Sequence, residues 1–345
     1  MKEKIIVGFS GGVDSSVSAF LLQRAGYEVV GVQLLINNNQ RENIDFASRA
    51  AERLGIKLIF DYCEADFRKN VLEPFIDDYK KGVTPSPCPL CNSVFKFDKL
   101  LKIAEREGIT KIATGHYAAI QNLDDGLSYI RRWNATFKDQ SYMLYRLSAE
   151  DLKRIVFPLS YCKNKEEVRN IAKEIGLVTA ERKDSQGLCF APDGIMQFLK
   201  DNGVEFLPGE IIDSNGKKLG EHCGYPLYTI GQRRGLGLKE NKPLFVTQII
   251  PEENKIIVGD YASLYKDKIN IKQLVLHGKY KSKENQENLT ARLRSSAGFV
   301  SVKNIENECI LLKESTPWAA AGQHVVLYDG NGDEKSIVAG GAVIQ

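Results

Sequence analysis

Three cysteines in polar loops give this 345-residue chain its most reactive side chains. Cys88 and Cys91 stand in TPSPCPLCNSVFKF, 84–97, a proline-punctuated loop ahead of a helical pattern. Cys189 stands in KDSQGLCF, 183–190, close to Arg182 and Lys183. The thiolate is the nucleophilic form of cysteine, and helix N-termini or nearby cations lower a thiol's pKa. Lys96 and the Arg182–Lys183 pair therefore predict activated thiols. A single Cys-x-x-Cys more often means zinc or redox chemistry. A structural zinc site wants four ligands, and no second Cys-x-x-Cys follows. Cys63, Cys162, Cys223 and Cys309 lack such loops and read as inert buried thiols.

A second stretch points to phosphate. SGGVDSS, 10–16, falls between the apolar run IIVGF, 5–9, and the helical pattern VSAFLLQRAG, 17–26. Glycines let backbone amides approach an anion, a helix N-terminus adds its dipole, and serine hydroxyls donate hydrogen bonds. The string is neither a Walker A loop nor GxGxxG, because the spacing of its glycines differs and no Lys-Ser/Thr follows. The plainer alternative is an N-cap, with Ser and Asp satisfying the helix's first amides.

The elements that must position these residues alternate. Strand-like runs at 5–9, 29–36, 56–62 and 111–118 are separated by helical patterns at 17–26, 45–55 and 96–108. A further helix runs through FRKNVLEPFIDDYKKG, where Pro74 predicts a kink. Such alternation implies βαβ units and an α/β, doubly wound parallel sheet. Ligands of such sheets bind beyond the carboxyl ends of the strands, where SGGVDSS would lie. After residue 200 the pattern shortens. PGEIIDSNGKKLGEH, 208–222, holds two strand-like runs around Asn-Gly, and YTIGQRRGLGL sets Arg233 and Arg234 between glycines. From residue 268 on, short β runs separated by turns predict a small β-barrel. The expected domains are 1–200, 201–268 and 269–345.

Composition bounds the function. Lys plus Arg number 47 and Asp plus Glu 44, so the net charge is 47 − 44 = +3. Nucleic-acid binding would then need local patches. No run of 18 apolar residues exists, and the first residues lack a signal-peptide pattern, so a cytoplasmic protein without a membrane segment is expected. Cysteines in a reducing compartment are more often buried, catalytic or metal-binding than disulfide-bonded.

SGGVDS is similar to the PP-loop signature of the N-type ATP pyrophosphatases, which adenylate a carbonyl or carboxyl oxygen. Taken with TPSPCPLCNSVFKF, ATGHYA, FKDQSYMLYRL, KDSQGLCF, YTIGQRRGLGL, GQHVVLYD and GGAVIQ, the chain resembles the tRNA-specific 2-thiouridylases over essentially its whole length. The resemblance implies an adenine nucleotide alpha hydrolase-like domain, a central β-rich domain and a C-terminal β-barrel. It implies ATP, Mg²⁺ and a cysteine persulfide that converts the C2 carbonyl of the wobble uridine of tRNA to thiocarbonyl. ATP would be bound by Gly8, Phe9, Ser10, Gly11, Gly12, Val13, Asp14, Ser15, Leu34 and Gly115. Cys91 would be the nucleophile and Cys189 the persulfide carrier, loaded by an upstream sulfur-donor protein. Ser86, Pro87 and Cys88 would meet the target base. His116, Lys138, Asp139, Gln140, Arg294, Ser295 and Gln323 would touch tRNA, and the chain would act as a monomer. At Arg294–Ser295 the family often has Arg-Tyr, so an aromatic able to stack on a base is missing here. INNNQREN, 36–43, is also shorter than the insert of many relatives. A second possibility is a [4Fe–4S] cluster on Cys88, Cys91 and Cys189. The alternatives from other classes are an ATP pyrophosphatase acting on a small metabolite and a non-catalytic tRNA-binding protein.

Overall fold

A computed structural model describes residues 2–37, 41–133, 138–177, 179–180, 187–317 and 319–345. Arg182, Lys183 and part of the 36–43 segment lie outside the described residues. The first strands are β1 (Lys4–Gly8), β2 (Glu28–Leu35), β3 (Lys57–Tyr62), β4 (Lys111–Ala113), β5 (Ala118–Asn122), β6 (Ser128–Arg132) and β7 (Ile155–Val156). Five of them form a sheet in the order β3-β2-β1-β4-β7, and every pairing is parallel. The doubly wound expectation holds. Successive side chains of a strand face opposite sides. Ile6 thus joins Val30, Val32 and Ile112 in one core layer, while Ile5 and Val7 join Val29 and Ala113 in the other.

The helices are α1 (Val13–Arg24), α2 (Arg41–Leu54), α3 (Glu64–Phe67), α4 (Glu73–Lys80), α5 (Pro87–Cys91), α6 (Phe97–Arg106), α7 (Ala149–Leu152), α8 (Lys165–Glu174) and α9 (Ile195–Asp201), and α4 packs against α9 in a cluster of its own. Helix α1 starts four residues before its expected position, so Asp14, Ser15 and Ser16 form its first turn. The Pro74 helix does not simply kink. A π-helical turn, Arg68–Leu72, joins α3 to α4 just before the proline, and Glu73 N–H donates to the Arg68 carbonyl. A second π turn, Asn92–Lys96, follows Cys91 directly.

The expected strand 111–118 is broken. It leaves the parallel sheet after Ala113 and resumes at Ala118 in another. Between them the chain crosses over the α1 N-terminus at Gly115, where a Cβ would lie 2.9 Å from the Asp14 carbonyl carbon. Only glycine permits that approach.

The central sheet contains β8 (Gly209–Asp213), β9 (Lys218–His222), β10 (Phe245–Ile250) and β11 (Lys255–Gly259), in the order β10-β11-β8-β9. Then come β12 (Lys266–Leu276), β13 (Leu289–Arg292), β14 (Val300–Ile305), β15 (Cys309–Thr316), β16 (His324–Asp329) and β17 (Ile337–Ile344). They run β12-β15-β14-β13-β16-β17, and β12 also pairs with β17, which closes a barrel. The hairpin β5–β6 extends this sheet from β17, so residues of the first domain add strands to the last one.

Candidate active site

The order β3-β2-β1-β4-β7 reverses direction between β1 and β4. A crevice opens at such a switch point. The loop after β1 enters it. Gly11 adopts φ +71°, a left-handed conformation, and a Cβ there would sit 2.4 Å from the Ala47 backbone nitrogen of α2. The loop ties itself with its serines. Ser10 N–H donates to Ser15 Oγ at 3.2 Å, and Ser15 Oγ donates to the Gly12 carbonyl at 3.2 Å. Thr179 Oγ1 donates to the Gly11 carbonyl at 3.2 Å. Gly12 is the N-cap and offers no side-chain cap. The first amides of α1 therefore have no intrahelical partner. Ser16 Oγ is buried without a hydrogen-bond partner. Free amides, a helix N-terminus and an orphaned hydroxyl fit a polyphosphate.

Asp14 is the acidic residue of that first turn. Its Oδ1 accepts from Tyr117 Oη at 2.5 Å and from Lys165 Nζ at 2.6 Å. Lys165 begins α8, 151 residues away in sequence. Its ammonium also lies over the Tyr117 ring, 5.3 Å from the centroid. Neither Tyr117 nor Lys165 was singled out in the sequence. Their only signals there are a tyrosine after ATGH and a lysine after a helix N-cap asparagine. Lys165→Met is expected to weaken ATP binding about 10- to 100-fold, the worth of one charge-assisted hydrogen bond, and to leave tRNA affinity unchanged. Titrations with ATP and with tRNA check both halves.

One of the three thiols, Cys91, and the neighbour of another, Phe190, pack on one apolar cluster. Cys91 ends α5, and its side chain packs with Leu34, Ile36 and Phe190 around Phe67, Val71 and Phe95. Phe190, the neighbour of Cys189, meets the Phe67 ring at 5.9 Å and the Phe75 ring at 5.1 Å. Cys88, Cys91 and Cys189 are all free thiols, and the charge of Cys189 would act on both of the others. The structure thus brings together two cysteines 98 residues apart, 189 − 91.

The expected lowering of their pKa values is reversed. Burial pushes the Cys91 thiol up to about 12, and Lys96 opposes it less strongly. Burial also raises Cys88 and Cys189, although both keep surface open to solvent, as groups on the floor of a cleft do. Alkylation of Cys91 in the free protein should therefore be slow at pH 7 and rise about tenfold per pH unit to beyond pH 10. Mass-resolved iodoacetamide kinetics measure this. Of the four thiols read as inert, Cys63, Cys162 and Cys309 are buried but Cys223 is exposed, beside Tyr228 Oη at 4.0 Å. Among the described residues no three His, Cys, Asp or Glu side chains are grouped to hold a metal ion. The charges of Cys88, Cys91 and Cys189 would act on one another, and the cluster on these three thiols stays an expectation of the sequence.

Both accessory domains reach the segment before Cys88. Tyr225 Oη donates to the Lys80 carbonyl at 2.6 Å, and Thr84 Oγ1 meets Thr229 Oγ1 at 3.1 Å. Gln323 Nε2 donates to the Thr84 carbonyl at 2.8 Å. Ser86 is the N-cap of α5 and Pro87 its first residue. The remaining RNA-contact candidates are scattered. His116 is half-buried, stacks on Phe97 at 5.7 Å, and is held neutral by burial, with Lys96 adding to the effect. Lys138 and Gln140 are half-buried, and Gln140 Oε1 accepts from Tyr117 N–H at 2.9 Å. Asp139 is interior. It binds Arg132 Nε at 3.2 Å and Ser141 Oγ at 2.8 Å, with Arg292 Nη1 at 3.8 Å, so its carboxylate shapes the surface from beneath. Arg294 is half-buried and donates to the Ile230 carbonyl at 3.0 Å, while Ser295, Arg233 and Arg234 are exposed.

A family model described as the tRNA methyl transferase HUP domain matches residues 3–193, and its PRC-barrel companion matches 196–260. A protein of Fusobacterium nucleatum called tRNA-specific 2-thiouridylase MnmA 2 is 41% identical over 336 residues, covering 95% of this chain and 97% of the relative. This chain belongs to the tRNA-specific 2-thiouridylase family. A 2-thiouridylase of Lachnoclostridium phytofermentans is 36% identical over 361 residues, 99% of this chain and 100% of its own. One from Carboxydothermus hydrogenoformans is 42% identical over 280 residues, 76% of each. In this 2-thiouridylase family member the loop after β1, Cys91 with its neighbours and the barrel-bound segment before Cys88 make up the candidate site. No described helix is long and apolar enough to cross a membrane.

Proposed function

We propose that the chain is a cytoplasmic, monomeric tRNA-uridine 2-sulfurtransferase that thiolates C2 of the wobble uridine, position 34, in tRNAs for Lys, Glu and Gln. The observation that carries the reading is the packing on one cluster of Cys91, of Leu34 at the carboxyl end of β2 and of Phe190, the neighbour of Cys189. Nucleotide, base and sulfur carrier would meet there. The amides of residues 11–15, Ser16 Oγ and Lys165 would hold the phosphates, with Gly8, Phe9 and Ser10 shaping the loop. Leu34 and Gly115 would border the adenosine, and Asp14 would supply the carboxylate for Mg²⁺. ATP supplies an adenylyl group, which makes the C2 oxygen a good leaving group.

The chain's own chemistry is thiol chemistry. An upstream donor loads Cys189 as a persulfide, Cys189–S–SH. Its terminal sulfur attacks adenylated C2, and AMP leaves with the oxygen. The Cys91 thiolate then attacks the Cys189 sulfur of the adduct. A Cys91–Cys189 disulfide forms, and the sulfur left on C2 takes the electron pair as thiocarbonyl. Alternatively Cys91 attacks the persulfide first and hydrosulfide adds to C2. Either way two thiols are oxidised, one sulfane sulfur is reduced, and a dithiol resets the pair. Thiol burial suits this order, because a protonated Cys91 waits for a bound substrate. Ser86, Pro87 and Cys88 would border the base, while His116, Lys138, Gln140, Arg294 and Ser295 would line the RNA path. Asp139 and Gln323 would act by positioning it.

In vitro thiolation tests the reading. Wild-type protein with ATP, Mg²⁺, a persulfide source and unmodified tRNA for Lys should give 2-thiouridine at position 34. Cys91→Ser and Cys189→Ser should each give none. AMP release on a small metabolite, independent of both cysteines, would instead mark a metabolite-directed ATP pyrophosphatase.

A further inference from the structure

The segment entering α5 cannot be fixed by its own amides. Pro87 and Pro89 have no N–H, and the Ser86 side chain makes no capping bond. Its main chain is tied to the barrel instead. Thr84 N–H donates to the Ala321 carbonyl at 3.3 Å and Ser86 N–H to the Gly322 carbonyl at 3.2 Å. The carbonyls of the same two residues accept from side chains, Thr84 from Gln323 Nε2 at 2.8 Å and Ser86 from His324 Nε2 at 2.9 Å. Two residues thus make a strand-like ladder in which Gln323 and His324 side chains replace the missing main-chain donors. Gly322 lets the two chains touch: a Cβ there would lie 2.4 Å from Val83 Cγ1.

His324 is itself locked. A carbonyl acceptor requires the proton on Nε2, so Nδ1 accepts from Tyr145 Oη at 2.9 Å. Arg146 Nη1 donates to the same hydroxyl at 3.2 Å. The imidazole is 4% exposed, and the Tyr145 ring packs against it edge-on at 5.5 Å.

We infer that His324 is a positioning residue, through which the β-barrel sets the entry of α5 and so the aim of Cys91. The inference rests on the proposed role of Cys91 for its effect on thiolation, but not for its effect on Cys91 reactivity. His324→Ala leaves the Ser86 carbonyl without its donor, whereas His324→Gln keeps a donor where Nε2 stands. In His324→Ala, Cys91 should alkylate about five- to tenfold faster and single-turnover thiolation should slow by about tenfold, the effect of a misplaced reacting group. Affinity for ATP and for tRNA should stay within about twofold, because positioning acts on the chemical step. The buried Cys162 and Cys309, which lie outside the cluster around Cys91, report general loosening and should not change. His324→Gln should restore both rates. Equal behaviour of the Ala and Gln variants, faster alkylation of all three cysteines, or an unaltered Cys91 rate would overturn the inference. If wild-type protein makes no 2-thiouridine while Cys91 alkylation still follows His324, the proposed function fails and the positioning role stands.

Discussion

Gly11→Ala is expected to abolish nucleotide-dependent activity while the accessory domains stay folded. Two effects add. Gly11 sits at φ +71°, and an L-residue there costs about 1–2 kcal/mol. The new methyl would also lie 2.4 Å from Ala47 N and 2.6 Å from Phe46 C, which are helix backbone and cannot swing aside. The loop must move, and the first amides of α1 move with it. ATP-dependent turnover should fall at least about 100-fold, the scale of a misplaced oxyanion-binding group. Gly126→Ala is the control. It shares the backbone conformation at φ +75°, with nothing within 4 Å of its Cβ position. It should lose about the same 1–2 kcal/mol of backbone energy and keep its ATP turnover. Equal loss of turnover in both variants would mean that global stability, not loop placement, limits activity.

Mild acid is expected to destabilise the protein before most carboxylates protonate. The chain has four histidines, and burial lowers the pKa of all of them: His116 far down, His222 and His277 below the usual value, and His324 to about 4. In the unfolded chain each titrates near 6.5. Between that value and the folded one the unfolded state binds more protons, so stability is full above about pH 6.5 and falls as pH drops toward 4. His324 alone accounts for about 3 kcal/mol at pH 4, from a shift of 6.5 to about 4. Protonation there would set Nδ1–H against a hydroxyl already accepting from Arg146. Urea midpoints measured from pH 7.5 down to 5 should decline with little change in slope. Midpoints flat across that range would contradict neutral, buried histidines.

The sequence showed the scaffold better than the wiring. Local signals were strong where β-branched runs such as IIV met glycine or helical spacing, so the parallel sheet and the terminal barrel were readable. Features set by distant contacts were not. Lys165 meets Asp14 only because α8 packs against α1, and the sequence separation of 151 residues hides it. The resemblance implies that Lys138, Asp139 and Gln140 touch tRNA, and nothing in the sequence signals that Asp139 also binds Arg132, Trp133 N–H and Ser141 in the interior. The thiol pKa values had the wrong sign because a loop's charges are visible in sequence and its burial is not. That Gln323 donates to the Thr84 carbonyl was not readable either, because the contact spans 239 residues. The hairpin 118–132 gave no sign that it would join a sheet formed 200 residues later.

The central claim is that Cys91 and Cys189 act as one redox pair in sulfur transfer. A single turnover with Cys189 preloaded as persulfide, quenched with an alkylating agent and analysed by mass spectrometry, tests it most directly. The account predicts one Cys91–Cys189 disulfide for each 2-thiouridine formed, with Cys88 still alkylated. Equivalent 2-thiouridine formed while Cys91 remains a free thiol would contradict it.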